Sequence, residues 1–302
     1  MMQKIFTIVV TYNGMQRNWI QKCLDSLIAS SVKTEIIVID NNSIDETVDF
    51  IKNNYTEINL IVKDNNLGFA KANNIGIKVA LDQGADFVFL LNQDAWIEKD
   101  TIKNLVIFSV KNPEYGILSP VHLTEDKQYF EKWFIEFFIK YSNITNAYEN
   151  LYLNKKESYC YDTKFVNAAA WLITRNCIDI VGGFDTLLFK HCGEDDNYCH
   201  RALYHNFKIG INTSTTICHD TLTPKNINRD KNISLSVFYA NILNNKIVFL
   251  KRIFKLIIKF FLLFYLINVI MELRYLMFNI RKIIKSRKNN KIRGGGLKYI
   301  HI

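Results

Sequence analysis

Four polar clusters near the start of the chain each follow an apolar run. They are Thr11-Tyr12-Asn13-Gly14, Asp40-Asn41-Asn42-Ser43, Asp64-Asn65-Asn66-Leu67-Gly68 and Asn92-Gln93-Asp94. The last ends FVFLL at 87–91, a run that reads as a fully buried parallel strand. Short amides, hydroxyls and carboxylates brought to one sheet edge would form a cleft with many directional hydrogen bonds, suited to a sugar or a nucleotide. Asn, Asp, Ser and Gly are also ordinary turn residues; the case for a site rests on all four ends being polar together. A further acidic cluster, Glu194-Asp195-Asp196, opens a predicted helix, where the helix dipole favours carboxylates.

The elements that must position these residues alternate. Strands are predicted at 5–12, 35–40, 59–62 and 87–91, and helices at 16–30, from a Ser43-Ile44-Asp45-Glu46 capping box to about 54, and at 68–83. This spacing implies βαβ units with right-handed crossovers and a mainly parallel sheet, whose ligands bind at the carboxyl ends of the strands. Further on, 167–175 is an apolar stretch containing Trp171, 182–185 is a turn, and 194–205 is a helix. Residues 121–160 fit neither simple period; rich in aromatics and Lys, they suit an acceptor-side flap. No G-x-G-x-x-G follows any strand, which disfavours a dinucleotide oxidoreductase.

VVTYN at 9–13, VIDNNS at 38–43, NNLGFAKANNIGI at 65–77, LLNQD at 90–94 and GGFDTLLFKHCGEDDNYCHR at 182–201 resemble, in order and spacing, glycosyltransferase family 2. The resemblance covers about residues 4–220 and is most similar to transferases of bacterial surface polysaccharides, rhamnosyl- and galactofuranosyl-transferases among them. It implies the GT-A fold and inverting transfer from a UDP- or dTDP-sugar. It also implies that Asp40 accepts the imide N–H of the base, with Thr11, Tyr12, Asn13 and Asn42 in the same pocket. Gly68, Asn73, Asn92 and Gln93 would lie on the donor side. Asp94 matches the last acid of the family's metal motif, which holds Mn2+ or Mg2+ against the diphosphate. Asn92 stands where that motif has its first acid, so the site loses a charge. His219 matches a further metal ligand. Asp195 would be the general base and Glu194 would bind an acceptor hydroxyl. Arg201 would pair with an acid or face phosphate. Trp171 is either an acceptor-stacking residue or a core residue.

His191, Cys192, Cys199, His200, Cys218 and His219 look like zinc ligands, but the gaps fit no usual structural zinc spacing. The six cysteines read instead as free thiols of a reducing compartment.

Net charge is +9, unevenly placed: residues 246–302 carry 14 Lys and Arg against one acid, Glu272, while residues 1–245 sum to −4. The reading divides the chain into a catalytic domain at 1–245 and a basic helical tail at 246–302. The tail's apolar content argues against nucleic-acid binding. Its twelve-residue run at 260–271 would be about 18 Å long as a helix, short of the ~30 Å hydrocarbon core. Lys251, Lys255 and Lys259 form one stripe, and residues 246–290 suit a helix lying on an anionic bilayer or, alternatively, one packed on the catalytic domain. The first residues enter a strand with no signal peptide, so the expected place is the cytoplasmic face of the membrane. The expected function is transfer to a lipid-linked surface glycan. The rivals are a sugar-nucleotide nucleotidyltransferase, which would need a Gly-rich basic loop after the first strand, and a glycan-binding module that has lost its metal, motivated by Asn92.

Overall fold

A computed structural model describes residues 3–142, 160–189, 192–221, 239–241, 243–245, 251 and 266–300. Four parallel strands, β1 (Ile5–Thr11), β2 (Glu35–Asp40), β3 (Asn59–Val62) and β4 (Phe87–Asn92), stand in the order β3-β2-β1-β4. Their side chains alternate between two cores, as the pleat requires. Phe6, Ile8, Ile37, Ile39, Val88 and Leu90 face α3 (Gly68–Asp82), while Ile5, Val9, Val38, Phe87, Phe89 and Leu91 face α1 (Trp19–Ile28). Helix α2 (Thr47–Asn54) completes the second crossover. The predicted capping box does not form. Ser43 donates its N–H and hydroxyl to Asp40, and the Asp45 carboxylate takes the Thr47 N–H, so the helix begins at Thr47.

The second half differs from the expected parallel sheet. It contributes β5 (Ala95–Ile97), α4 (Thr101–Lys111), β6 (Tyr115–Leu123), α5 (Lys132–Tyr141), β7 (Cys160–Thr163), β8 (Ala170–Thr174), α6 (Arg175–Val181), α7 (Glu194–Tyr204) and β9 (Lys208–His219). β8 enters antiparallel between β4 and β6, and β9 runs parallel to β6 but antiparallel to β5 and β7. Antiparallel neighbours need no crossover helix, so the sheet widens to nine strands and becomes mixed. Of the stretch 121–160, α5 packs Phe134 and Phe138 into the core, and 143–159 lie outside the described residues.

The described part of the tail is not detached from the body. Helix α8 (Leu266–Lys291) and a short 3-10 turn (Gly295–Tyr299) lie against α6 and α7. Gly183 N–H donates to the Gly296 carbonyl at 3.1 Å and Gly294 N–H to Ile180 at 2.7 Å. The Asn74 amide donates to the carbonyls of Phe184 and Tyr299 at 2.9 Å, and Ser286 donates to Asp185. Lys255, Lys259 and the first half of the run 260–271 lie outside the described residues. No helix among the described residues is long and apolar enough to cross a membrane.

Arg201 is the hub of this docking. Buried against α8 and the turn, it donates to the carbonyls of Val181 (2.9 Å) and Gly183 (2.6 Å) and to Asn197 Oδ1 (3.0 Å). Its guanidinium also lies over the Tyr198 and Tyr299 rings. Among the described residues it pairs with no acid: two carbonyls and an amide oxygen take its hydrogen bonds, and its burial keeps it from a phosphate in solution. Close approach at the same point demands glycine: a Cβ on Gly296 would lie 2.0 Å from the Val181 carbonyl oxygen. Gly296→Ala should lower unfolding free energy by about 1–3 kcal/mol, the range for overpacking a tight site, read from the urea midpoint. An unchanged midpoint would mean that the turn does not dock in solution.

Candidate active site

The register places the polar strand ends side by side. Thr11 is opposite Asp40, Val10 opposite Asn92 and Asp40 opposite Val62, so the four loops leave one edge. Side chains lace them together. Gln93 accepts from the Thr11 hydroxyl (2.6 Å) and the Tyr12 N–H (2.9 Å) and donates to the Tyr12 carbonyl (3.0 Å). Asn13 N–H donates to Ser43 Oγ at 2.9 Å, and Asn13 Oδ1 accepts from Ile44 N–H at 2.9 Å. Asn41 accepts from Leu67 N–H at 2.7 Å. Gly68, at φ +79°, turns into α3 where a side chain would be strained.

Several residues expected to touch a donor instead build this frame. Asp40 is fully buried, and each of its carboxylate oxygens accepts one bond from Ser43. Thr11 is buried under Gln93, and the Asn73 amide donates to the Phe69 carbonyl within its own helix. What faces the cleft is the Tyr12 ring, 43% exposed, with half-buried Asn13 and Asn42 beside it.

At the next corner, pairing of β5 with β9 puts Ala95 opposite His219. His219 Nε2 lies 3.4 Å from Asp94 Oδ1, although 125 positions separate them in the chain. Two atoms bound to one ion at about 2.1 Å lie about 3 Å apart, so this pair fits a divalent metal; Asn92 ends β4 beside them without charge. Burial works to lower the His219 imidazole, but the hydrogen bond and charge of Asp94, with Glu131 and Asp220 near, raise it overall. Asp220 N–H donates to the Asp94 carbonyl at 2.9 Å. The Asp220 carboxylate holds the Arg17 guanidinium and the Trp19 indole N–H, each at 2.9 Å. Sequence reasoning missed this clamp, and it missed His122 and Glu131, which stand buried beside His219.

The acidic corner is the first turn of α7, entered through Gly193 at φ +82°. Asp195 accepts from the Asp196 N–H at 2.9 Å, and the Ala168 amide also bonds its carboxylate. The next carbonyl, Ala169, accepts the Asn92 N–H at 2.9 Å. One short segment thus carries Asp195 on one amide and the end of β4 on the next carbonyl. Burial, with mutual repulsion, pushes Glu194 up to about 8 and Asp196 up to about 7, and burial raises Asp195 as well. Glu194 Oε2 has no hydrogen-bond partner among the described residues.

Trp171 does not face this corner. It is 0% exposed, stacked on Phe184 with ring centroids 6.2 Å apart, so no ring face is free for a sugar. The apolar neighbours in β8 carry it into the core.

A model of the family described as glycosyl transferase family 2 matches residues 7–173. The chain is 26% identical over 225 residues to the dTDP-rhamnosyl transferase RfbF of Shigella flexneri, covering 72% of this chain and 70% of that one. It is 28% identical over 156 residues to the glycosyltransferase GlyA of Streptococcus pneumoniae, covering 49% of this chain and 22% of that one. The structure of S. aureus TarS 1–349 in complex with UDP-GlcNAc superposes with TM-score 0.59 at 17% identity, over 96% of this chain and 90% of that one. At that identity the likeness is one of fold.

The raised Glu194 has a signature in stability. An unfolded glutamate ionises near 4.5, whereas the folded one keeps its proton to about 8. Its contribution is therefore full below about 4.5 and is lost as pH rises towards about 8. Glu194→Gln escapes this loss, so its melting temperature should gain on wild type as pH rises through that window. A difference that stays constant with pH would mean that Glu194 is already ionised in the folded protein across it.

Proposed function

The chain belongs to glycosyltransferase family 2, and from that premise we propose that it moves a sugar from a UDP- or dTDP-sugar to a hydroxyl of a lipid-linked glycan, with inversion. The observation that carries this reading is the shared segment Ala168-Ala169, which ties Asp195 to the end of β4 and so to Asp94 and His219. In this reading a leaving-group site and a base share one scaffold. The pyrimidine donors of two relatives, a dTDP-rhamnosyl transferase and a UDP-GlcNAc-bound fold neighbour, support the donor class.

In this reading Tyr12 offers its exposed ring to the base, and Asn13 and Asn42 offer polar edges. Asp94 and His219 hold Mn2+ or Mg2+, which when bound neutralises charge on the departing diphosphate. Asp195 takes the proton of the acceptor hydroxyl while that oxygen bonds to the anomeric carbon from the face opposite the diphosphate. The bond from that carbon to the phosphate oxygen breaks, and the nucleoside diphosphate leaves. Desolvation raises Asp195 towards the working pH, which strengthens it as a base. Glu194 steers a second acceptor hydroxyl.

The membrane part of the reading rests on the outer face of α8. Met277 (75% exposed), Phe278 (85%) and Ile284 stand beside exposed Arg274, Arg281, Lys282, Lys285 and Lys288. Apolar side chains within a field of cations match an anionic bilayer surface, which supports a reading in which the enzyme works peripherally at the cytoplasmic leaflet on an acceptor displayed there.

Asp195→Asn should lower kcat by about 10²- to 10⁴-fold, the usual contribution of a general base, while calorimetric binding of UDP and dTDP in Mn2+ stays unchanged. Near wild-type turnover would remove Asp195 from the mechanism, and binding of neither nucleotide by wild type would remove the donor assignment. For the membrane part, the full chain should sediment with phosphatidylglycerol vesicles and not with phosphatidylcholine vesicles. Arg281→Glu combined with Lys285→Glu should abolish sedimentation; equal recovery with both lipids would refute the electrostatic contact.

A further inference from the structure

A cavity of about 310 Å³ lies beside α7, bounded also by the ends of α5 and β7 and the start of β9. Asp196, His200 and Leu203 line it from α7; spaced four and three residues apart, they share one helix face. On another side β7 pairs with β9, with Thr163 opposite Ile209. Tyr141, the last residue of α5, is tied to the end of β7: its carbonyl accepts the Lys164 N–H at 3.3 Å, and Ser142 bridges to Thr163. The wall is therefore built by tertiary contacts between elements distant in the chain.

The lining is of two kinds. Phe165, Phe207 and Ile209 are buried and apolar. The charged groups are mixed in sign, Asp162 and Asp196 against Lys164 and Lys208. Two carboxylates set against two ammoniums give no field of one sign, so a phosphate or a free cation gains little there. A neutral ligand rich in hydroxyls finds both donors and acceptors. A sugar has this duality, with apolar C–H faces and a girdle of hydroxyls. The volume is at the small end of ligand pockets, about 300 Å³ and upward, which suits a sugar unit better than a whole nucleotide-sugar. Asp162 is a fixed part of the wall, accepting the Tyr115 hydroxyl. Burial and the Asp195 charge push Asp196 up to about 7, against the pull of Lys140, so near neutrality it can donate to a hydroxyl as well as accept from one.

The cavity adjoins the base. Asp196 directly follows Asp195, and Phe165 stands three residues before Ala168, whose amide bonds the Asp195 carboxylate. On the premise of the transferase function above, we propose that this cavity holds a neutral sugar unit of the acceptor glycan, next to the unit whose hydroxyl Asp195 deprotonates. A unit bound there is held equally in the ground state and the transition state. It therefore lowers the acceptor KM and selects longer acceptors, without touching the step at the anomeric carbon.

The test applies the full chain to an immobilised panel of bacterial surface oligosaccharides, from single sugars to tetrasaccharides, with and without UDP or dTDP and Mn2+. Wild type should retain at least one oligosaccharide and bind its single sugars more weakly. Leu203→Trp, which fills the cavity, and His200→Ala, which removes a polar group from its wall, should each weaken that binding by about tenfold or more. Both should keep the wild-type calorimetric affinity for UDP and dTDP, and melting temperature checks that they fold. The proposal is overturned if wild type retains no oligosaccharide, or if folded variants bind as wild type does. If Leu203→Trp fails to fold, His200→Ala decides. Nucleotide binding without glycan binding ends this proposal alone; glycan binding that the variants weaken, with neither nucleotide bound, upholds the site and ends the donor assignment instead.

Discussion

Three residues of antiparallel pairing between β5 and β9 hold the two halves of the cleft together. The strands upstream of β5 form a parallel arrangement, and the described strands downstream build the mixed part of the sheet. The register Ala95 to His219 joins them and sets the imidazole against Asp94. The chain's next residue, Asp220, extends the same contact. Its amide bonds the Asp94 carbonyl, and its carboxylate, almost wholly buried, takes Arg17 from the segment after β1 and the indole of Trp19 at the start of α1. Loss of that carboxylate would orphan a buried indole N–H and leave the guanidinium to Glu125, so the short strand governs loop positions on both sides of it.

The two walls are built by different physics. At the ends of the parallel strands, small polar side chains spend their hydrogen bonds on one another and on backbone: Gln93 on Tyr12, Asp40 on Ser43, Asn41 on Leu67. The result is a preorganised rim in which only a few groups remain free for a ligand, a condition that lets binding proceed without ordering costs. On the other side, the first turn of α7 concentrates three carboxylates under low solvation, and burial raises all three. Such a cluster is costly in a resting fold and useful where a proton must be taken near neutrality. Its scaffold is reinforced from behind by Arg201, which fastens α7 to the Val181 and Gly183 carbonyls.

The parallel half was legible because its signal is local. Buried runs such as FVFLL and the helical spacing of Trp19, Ile20, Cys23, Leu24 and Leu27 survive in any context, and all five of those α1 residues are buried. Local pattern misled where a stronger local partner existed: Ser43 had the form of a helix cap, but the Asp40 carboxylate three residues earlier captured it. The role of Asp195 follows in sequence only from the family resemblance, since a helix first turn favours carboxylates whether or not they do chemistry, whereas its tie to β4 through Ala168 is a tertiary fact. Trp171 and Arg201 were ambiguous because an aromatic or a guanidinium looks the same in sequence whether it faces a ligand or a core. His122 and Glu131 carried almost no signal. A strand histidine and a glutamate ahead of an aromatic helix become neighbours of His219 only through the β6–β9 register, and the capping of Trp133 and Phe134 was the one local hint.

Asn92 is best understood as part of this charge balance. Asp94, Glu131 and Asp220 all act on His219, whose imidazole they raise, and Arg17 neutralises Asp220 at the edge. Another carboxylate at the end of β4 would add repulsion to a region with few cations and little water to screen it. A neutral amide keeps an oxygen available at that position without the repulsion. The family's two-acid motif and this one-acid version can then serve the same chemistry with different partners, because the charge that holds an ion can come from any carboxylate the sheet brings within reach. Which positions supply it is decided by strand register, and here register gathers the histidines of β6 and β9 and the carboxylates that follow β4 and β9 and precede α5.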